Sequence, residues 1–306
     1  KKKYKYVLGK DINLYSNNRI YKNNFLNTPN TEMKKIRTII HLAGISTNYD
    51  PDESIYKKLS YKANYHDTLI FAKLAKKSGI KKFIFASSTS VYGNKNNKIV
   101  NENSKLSPTT SYGKSKKNIE QKLIKMSDKN FKVIILRMAT LFGYSKRMRF
   151  DLLINNLISS YIINKKIILS SDGEKIRPQI DLKDACKVYY YFTKNDIKRN
   201  FIILNVGRDD YNLSVGQIAR KIANVFKCKV DYGKKDLDKR SYKVSFKKLN
   251  KYISFEKSKN TIEKSAKIIE AKYSKKNKIF FNNKNFHNLG SVKNIVHNKE
   301  IKNLLK

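Results

Sequence analysis

A short apolar run that opens into four hydroxyl residues constrains this chain most. Phe83-Ile84-Phe85-Ala86 is followed by Ser87-Ser88-Thr89-Ser90 and then Val91-Tyr92-Gly93. The run reads as a buried strand from Phe83 to Ala86 with hydroxyls at its carboxyl end. Ser107-Pro108-Thr109-Thr110-Ser111-Tyr112-Gly113-Lys114-Ser115-Lys116 then reads as a helix start. Ser107, Thr109, Thr110 and Ser111 are candidate caps, and Pro108 suits a first turn. Tyr112 and Lys116 lie four apart, so they share one helix face. In an open α/β sheet, ligands sit beyond the carboxyl ends of the strands. A serine there, facing a Tyr/Lys pair on the next helix, is a workable site for moving a proton off a hydroxyl.

The residue types fit that chemistry. A free phenol titrates near ~10 and is a poor base at neutral pH. An ammonium one turn away favours the phenolate. The phenolate can take a hydroxyl proton while a hydride leaves the same carbon for a nicotinamide. A serine hydroxyl holds the substrate oxygen in line.

Spacing alone says little. The chain has 20 tyrosines and 57 lysines, so chance supplies about four Tyr-x-x-x-Lys matches. Four occur: Tyr6/Lys10, Tyr112/Lys116, Tyr161/Lys165 and Tyr190/Lys194. Only Tyr112/Lys116 follows a strand ending in Ser-Ser and a Pro-capped helix start.

Ala86-Ser87-Ser88-Thr89-Ser90-Val91-Tyr92-Gly93 with Ser111-Tyr112-Gly113-Lys114-Ser115-Lys116 resembles the extended short-chain dehydrogenase/reductase superfamily. Within it, the resemblance is to the NAD-dependent epimerase/dehydratase family that acts on nucleotide sugars. It implies an α/β fold: a Rossmann-like parallel sheet holding NAD, with a smaller carboxyl-terminal α+β substrate domain. By position, Ser88, Tyr112 and Lys116 match the family's catalytic Ser/Thr, Tyr and Lys.

The amino terminus departs from this pattern. A dinucleotide-binding chain should open with a strand, Gly-x-x-Gly-x-x-Gly and a helix. Residues 1–35 hold one glycine, Gly9. Tyr6-Val7-Leu8-Gly9-Lys10-Asp11-Ile12 instead resembles a later family segment whose Asp and following apolar residue contact the adenine. The resemblance makes Asp11 and Ile12 those residues, and the chain is expected to start about one βαβ unit late. A fragment and a loss of the first unit are both open.

The resemblance carries further residues. Arg37-Thr38-Ile39-Ile40-His41-Leu42-Ala43-Gly44 reads as a buried strand ending in small residues, which let a ligand approach the backbone. Leu42, Ala43 and Gly44 are carried over as NAD contacts, and His41 reads as a packed strand-end residue. Residues 54–77 read as a helix with Leu59, Ala63, Leu69, Ile70, Ala72 and Leu74 on its apolar side. Asn64 with Thr68 matches an Asn-x-x-x-Thr position beside the active site; an ordinary surface asparagine is the alternative. Ser87 is a further cofactor contact. On the substrate side stand Ser88, Thr140, Asn156, Arg177 and Arg240. The two arginines would meet the diphosphate, for which a planar guanidinium is suited. The family pattern after Arg177 is Asp-(Phe/Tyr)-Ile-His; here it is Pro178-Gln179-Ile180-Asp181. Asp172-Gly173 reads as a turn between two strands.

The expected domains are residues 1–150 for NAD, with a segment near 176–206 returning to them, and 151–273 for the substrate. Residues 274–306 read as a loosely packed Lys/Asn-rich tail, with Ile301 to Leu305 a weak helix. The formal charge of +43 comes from lysines spread along the whole chain. Nucleic-acid readers lean on arginine forks and clustered patches, so a solvated surface is expected and no specific nucleic acid. No apolar run reaches the ~18 residues of a membrane span. Cys186 and Cys228 lie far apart with no metal-ligand spacing, so no metal is expected and the thiols read as those of a cytoplasmic protein.

Dehydratases and decarboxylases of the family carry a carboxylate one or two residues after the catalytic Ser/Thr; here those positions are Thr89 and Ser90. The expected function is therefore an NAD-dependent nucleotide-sugar epimerase. The Arg-Met-Arg-Phe-Asp (147–151) and Arg-Ser-Tyr-Lys-Val (240–244) segments resemble a branch tied to surface-polysaccharide synthesis. The resemblance implies a homodimer through the helices bearing Asn64 and Tyr112. The alternatives are a reductase or dehydratase of the same family, an inactive truncated member, and a Lys-rich polyanion binder. NADP stays open beside NAD.

Overall fold

Residues 30–46, 54–234, 240–255, 258–283 and 286–287 are described by the computed structural model. Asp11, Ile12 and the 301–305 segment lie outside them. The described chain opens with α1 (Asn30–Met33) and β1 (Thr38–His41). One helical run then extends from α2 (Ser54–Tyr61) through a π-helical segment (Lys62–Asp67) into α3 (Thr68–Lys77). Gly79, at φ +80°, makes the left-handed turn that ends it, a conformation open to glycine at little cost. β2 (Lys82–Ser88), a 3₁₀ turn (Thr89–Tyr92) and β3 (Ile99–Val100) follow. α4 (Ser111–Met126) starts at Thr110, whose hydroxyl accepts from the Gly113 amide at 3.1 Å.

β4 (Lys132–Met138), β5 (Thr140–Phe142), α5 (Leu153–Asn164), β6 (Ile167–Ile168) and β7 (Ile176–Asp181) come next. α6 (Leu182–Lys194), β8 (Phe201–Val206), a 3₁₀ turn (Asp209–Tyr211) and β9 (Asn212–Ser214) precede α7 (Val215–Phe226). Ser214 and Gln217 form a reciprocal capping box at the start of α7. β10 (Val230–Asp231), β11 (Lys243–Val244), α8 (Lys247–Asn250), α9 (Ile262–Tyr273) and α10 (Lys278–Phe281) complete the described elements.

β1, β2, β4 and β8 form a parallel sheet in the order β1-β2-β4-β8. The two central strands, β2 and β4, are buried on both faces and so read as continuous apolar runs, whereas on the edge strand β1 Ile40 is 40% exposed. Alternate residues serve opposite cores. Phe83, Phe85, Val133 and Ile135 meet α3 and α4 through Phe71, Ala72, Ala75, Ile119 and Leu123. Ile84, Ile134 and Leu136 meet α6 and α8 through Val188, Phe192 and Leu249. Each fully buried side chain of this size is worth about 1.5–3 kcal/mol. β8 lies beside β4 with Leu136 opposite Leu204, so residues 176–206 run from β7 back into this sheet.

A second core joins α5, α7 and α9 through Ile154, Leu157, Ile158, Ile218, Ile222, Ile262 and Ile269. Phe150 sits in it, with the rings of Phe280, Phe281 and Phe286 at 6.4, 4.8 and 5.5 Å. The segment expected to pack loosely from residue 274 onward thus carries three aromatic rings into a core. Sparse as they are, they are large enough to anchor it. The Asp172-Gly173 turn joins strands of different sheets: β6 pairs with β10, whereas β7 pairs with β5 and β9. Among the described residues, no helix is long and apolar enough to cross a membrane.

Candidate active site

A cavity of about 620 Å³ opens at the carboxyl ends of the parallel strands, between the sheet and the unit built on α5 and α7. β2 delivers Ser88 to it, α4 delivers Tyr112 and Lys116, and the turn after β1 delivers Gly44. Thr140, Asn156, Arg177 and Arg240 line the opposite side. Residues scattered along the sequence from Gly44 to Arg240 therefore face one space.

Ser46, Ser88 and Tyr112 line the same part of the cavity, and the two serines favour the ionised form of the Tyr112 hydroxyl. The Ser90 amide donates to Ser88 Oγ at 3.2 Å, which fixes the serine at the strand end. Burial pushes the Tyr112 phenol above its ordinary value. The Ser46 and Ser88 side chains and the charges of Arg149 and Arg240 act against that rise. Lys116 lines the cavity one helical turn beyond Tyr112, with its Nζ 5.7 Å from the Tyr112 ring centroid. Its Nζ donates to the Ala86 carbonyl at 2.8 Å and stands 4.5 Å from the Phe85 ring centroid. Burial brings its pKa from 10.5 down to about 7, with the Glu120 carboxylate opposing the fall. The positive charges of Arg149 and Arg240 favour the phenolate.

Asn64 lies a layer behind the cavity and is fully buried. Its Oδ1 accepts from the Ile45 amide and its Nδ2 donates to the Ile45 carbonyl, both at 2.8 Å. It sits in the π-helical segment, whose extra residue per turn departs from the ordinary helical register. This asparagine is thus a brace for the turn after β1, not a surface residue. A Cβ on Gly44 would fall 2.7 Å from Asn64 Oδ1, so that turn accepts glycine alone and offers bare backbone to the cavity. Leu42 is 61% exposed beside it. Ala43 packs against the α3/α4 core instead of lining the cavity. His41 hydrogen-bonds Thr68 at 3.0 Å, and burial lowers its pKa to about 3, which leaves it a neutral packed ring.

Ser87 lines the cavity, but its hydroxyl donates to Glu120. Glu120 also forms a buried ion pair with Arg137 at 2.8 Å, and Arg137 Nη1 donates to the Tyr92 hydroxyl at 2.9 Å. This network ties α4 to β2 and β4 directly beneath the site. Arg177 Nη1 donates to the carbonyls of Ile176 (3.0 Å) and Arg240, which locks the two arginine-bearing segments together.

The lining residues that the sequence reading gave no site role include Ser46, Arg149, Gln179 and Tyr189. Arg149 pairs with Asp151 at 2.7 Å. The i, i+2 Arg/Asp pattern was legible; its proximity to Tyr112 needed the fold. Ser90 Oγ and Gln179 Oε1 are buried in this wall and have no hydrogen-bond partner among the described residues. Among the described residues, no three His, Cys, Asp or Glu side chains gather as a metal site.

The family model for the NAD dependent epimerase/dehydratase family matches residues 15–207. The chain belongs to that family. Its relatives include the UDP-glucose 4-epimerase of Bacillus subtilis, 29% identical over 201 residues, covering 60% of this chain and 56% of that protein. The dTDP-D-glucose 4,6-dehydratase of Dictyostelium discoideum is 28% identical over 227 residues, covering 68% and 50%. The chain spans about half the length of these curated epimerase and dehydratase relatives. In fold it is similar to the UDP-glucuronic acid 4-epimerase from Bacillus cereus solved with UDP-glucuronic acid and NAD. The TM-score is 0.68 at 20% identity, covering 82% of this chain and 81% of that one.

Proposed function

We propose that this chain acts as an NAD-dependent nucleotide-sugar epimerase. The observation that carries the reading is that Ser88, Tyr112 and Lys116 line one strand-end cavity, with Lys116 one turn further along α4 than Tyr112. A sugar hydroxyl placed between Ser88 and Tyr112 would donate its proton to the phenolate while Ser88 holds the same oxygen. Returning that proton restores the hydroxyl when the sugar presents its other face.

The residues present fit NAD. Gly44 leaves a backbone surface that a Cβ would spoil, Leu42 offers an exposed apolar side chain, and Lys116 borders both Gly44 and Tyr112. Leu42, Gly44, Tyr112 and Lys116 would hold the cofactor, with Asn64 and Ala43 supporting the turn. When bound, NAD supplies the site that takes up and returns a hydride.

The epimerase reading is favoured over a dehydratase by the residues after Ser88. Thr89 bonds Tyr242 at 3.3 Å and Ser90 bears a hydroxyl, so neither supplies an acid. Among the described lining residues the one carboxylate is Asp151, which is held by Arg149. Arg177 and Arg240 suit the diphosphate of a nucleotide sugar. The setting we propose is surface-polysaccharide synthesis in the cytoplasm, by a homodimer formed through α2–α3 and α4; it rests on the resemblance of the segments named above. The test is to denature the purified chain and assay released cofactor, then titrate NAD into the apo form by calorimetry. Bound or titratable NAD supports the reading; neither would remove catalysis by this chain.

A further inference from the structure

Gln179 has a side chain with no solvent exposure, yet it lines the cavity. Its Nε2 donates to the Arg177 carbonyl at 3.2 Å. A carbonyl only accepts, so this contact fixes which end of the carboxamide faces the backbone. Oε1 is thereby turned the other way, and it has no hydrogen-bond partner among the described residues. A hydroxyl such as that of Ser90 can rotate to find a partner; a carboxamide held by one end cannot.

The surroundings say what would complete it. Gln179 pairs with Thr140 across β5 and β7, and cross-strand partners in register share a face. Thr140 lines the same cavity, two residues beyond Met138, which pairs with Ser88. Arg177 lies two residues earlier on β7, on the same face, about 6–7 Å along the strand. Gln179 therefore stands between the arginine suited to a diphosphate and the strand end bearing Ser88. Burying a carbonyl oxygen without a donor is unfavourable, so a ligand that brings a donor there is selected over one that does not.

We propose that Gln179 Oε1 accepts a hydrogen bond from a hydroxyl of the bound nucleotide sugar and so selects among such substrates. This rests on the nucleotide-sugar reading above and deepens it. The family pattern carries Phe or Tyr at this place, and neither ring puts a carboxamide oxygen there. The hydroxyl belongs either to the sugar or to the ribose.

The experiment is calorimetric titration of the wild-type chain and of Gln179→Leu, both saturated with NAD. The probes are UDP-glucose, dTDP-glucose, UDP-glucose analogues with single hydroxyls replaced by fluorine, and 2′-deoxy-UDP-glucose. Fluorine and hydrogen cannot donate. Gln179→Leu is expected to bind UDP-glucose about 10-fold or more weakly. One analogue should show the same loss with the wild type and no added loss with Gln179→Leu. A fluorinated sugar in that role assigns the contact to the sugar; the 2′-deoxy compound assigns it to the ribose. Should Gln179→Leu fail to fold, the analogue series on the wild type still decides. Equal binding by wild type and Gln179→Leu, or a series with no selective loss, overturns the inference alone. Wild-type protein that binds neither UDP- nor dTDP-glucose overturns the nucleotide-sugar reading, and this inference with it.

Discussion

Lys116 Nζ donates to the Ala86 carbonyl oxygen at 2.8 Å, bridging α4 to the last turn-free stretch of β2. The bond places a lysine in a nearly closed apolar setting, 3% exposed. Burial costs the charged form, and the pKa falls from 10.5 to about 7. Between about 7 and 10.5 the unfolded chain holds the proton and the folded chain does not. Stability should therefore rise with pH across that window, and the deficit should be full below it. Lys116→Met is expected to melt several degrees higher than wild type at pH 7, since about 1 kcal/mol moves a chain of this size by about 2–4 °C. The gap should narrow as pH approaches 10.5. Melting scans at three pH values check this, and a variant that melts no higher at pH 7 counts against it.

Tyr112→Phe removes the hydroxyl proposed as proton acceptor while keeping the ring. Turnover should fall by about 10²–10⁴-fold, the usual worth of a positioned acid or base. Because burial raises the Tyr112 phenol, wild-type kcat/KM should climb as pH rises above neutrality. NAD affinity should change little. A variant that keeps its rate would exclude Tyr112 as the base.

How far the sequence was legible is clearest at the four Tyr/Lys pairs. Lys116 lies 5.7 Å from the Tyr112 ring centroid, Lys165 5.6 Å from Tyr161, and Lys194 5.9 Å from Tyr190. Helix geometry makes these three pairs alike, so spacing could not single out one. The strand and cap signals around Tyr112 did, and the fold puts that pair alone of the three into the cavity. The buried strands were equally readable, because a parallel sheet writes continuous apolar runs. What stayed hidden depends on tertiary approach. Nothing local announces that Arg149 faces Tyr112, that Ser87 turns to Glu120, or that Asn64 braces Ile45 across 19 residues of sequence.

That brace can be tested. Asn64→Ala leaves the Ile45 amide and carbonyl without their side-chain partners in a buried place. Each such loss costs about 1–3 kcal/mol. Chemical denaturation should show a stability loss in that range or above it, and NAD affinity should drop because the Gly44 turn is no longer held. Unchanged values for both would show that the turn stands without Asn64.

The Glu120–Arg137 pair is 1% and 3% exposed on its side chains, so neither charge can be rescued by water. Glu120→Gln should destabilise by about 3–5 kcal/mol, the cost of stranding one member of a buried pair. Glu120→Met combined with Arg137→Met should cost less than the single change. Urea unfolding of both variants distinguishes a stranded charge from simple loss of packing: if the double variant is the less stable of the two, packing is the larger effect.

The central claim is reversible oxidation of a nucleotide sugar through Tyr112. Proton NMR of UDP- and dTDP-sugars incubated in D₂O with NAD and the 306-residue chain tests it most directly. The account predicts interconversion of two epimers with no solvent deuterium at the reacting carbon, since the hydride returns to the carbon it left, and no interconversion with Tyr112→Phe. Loss of water with solvent deuterium incorporated, or no change in any sugar while NAD is bound, would contradict it.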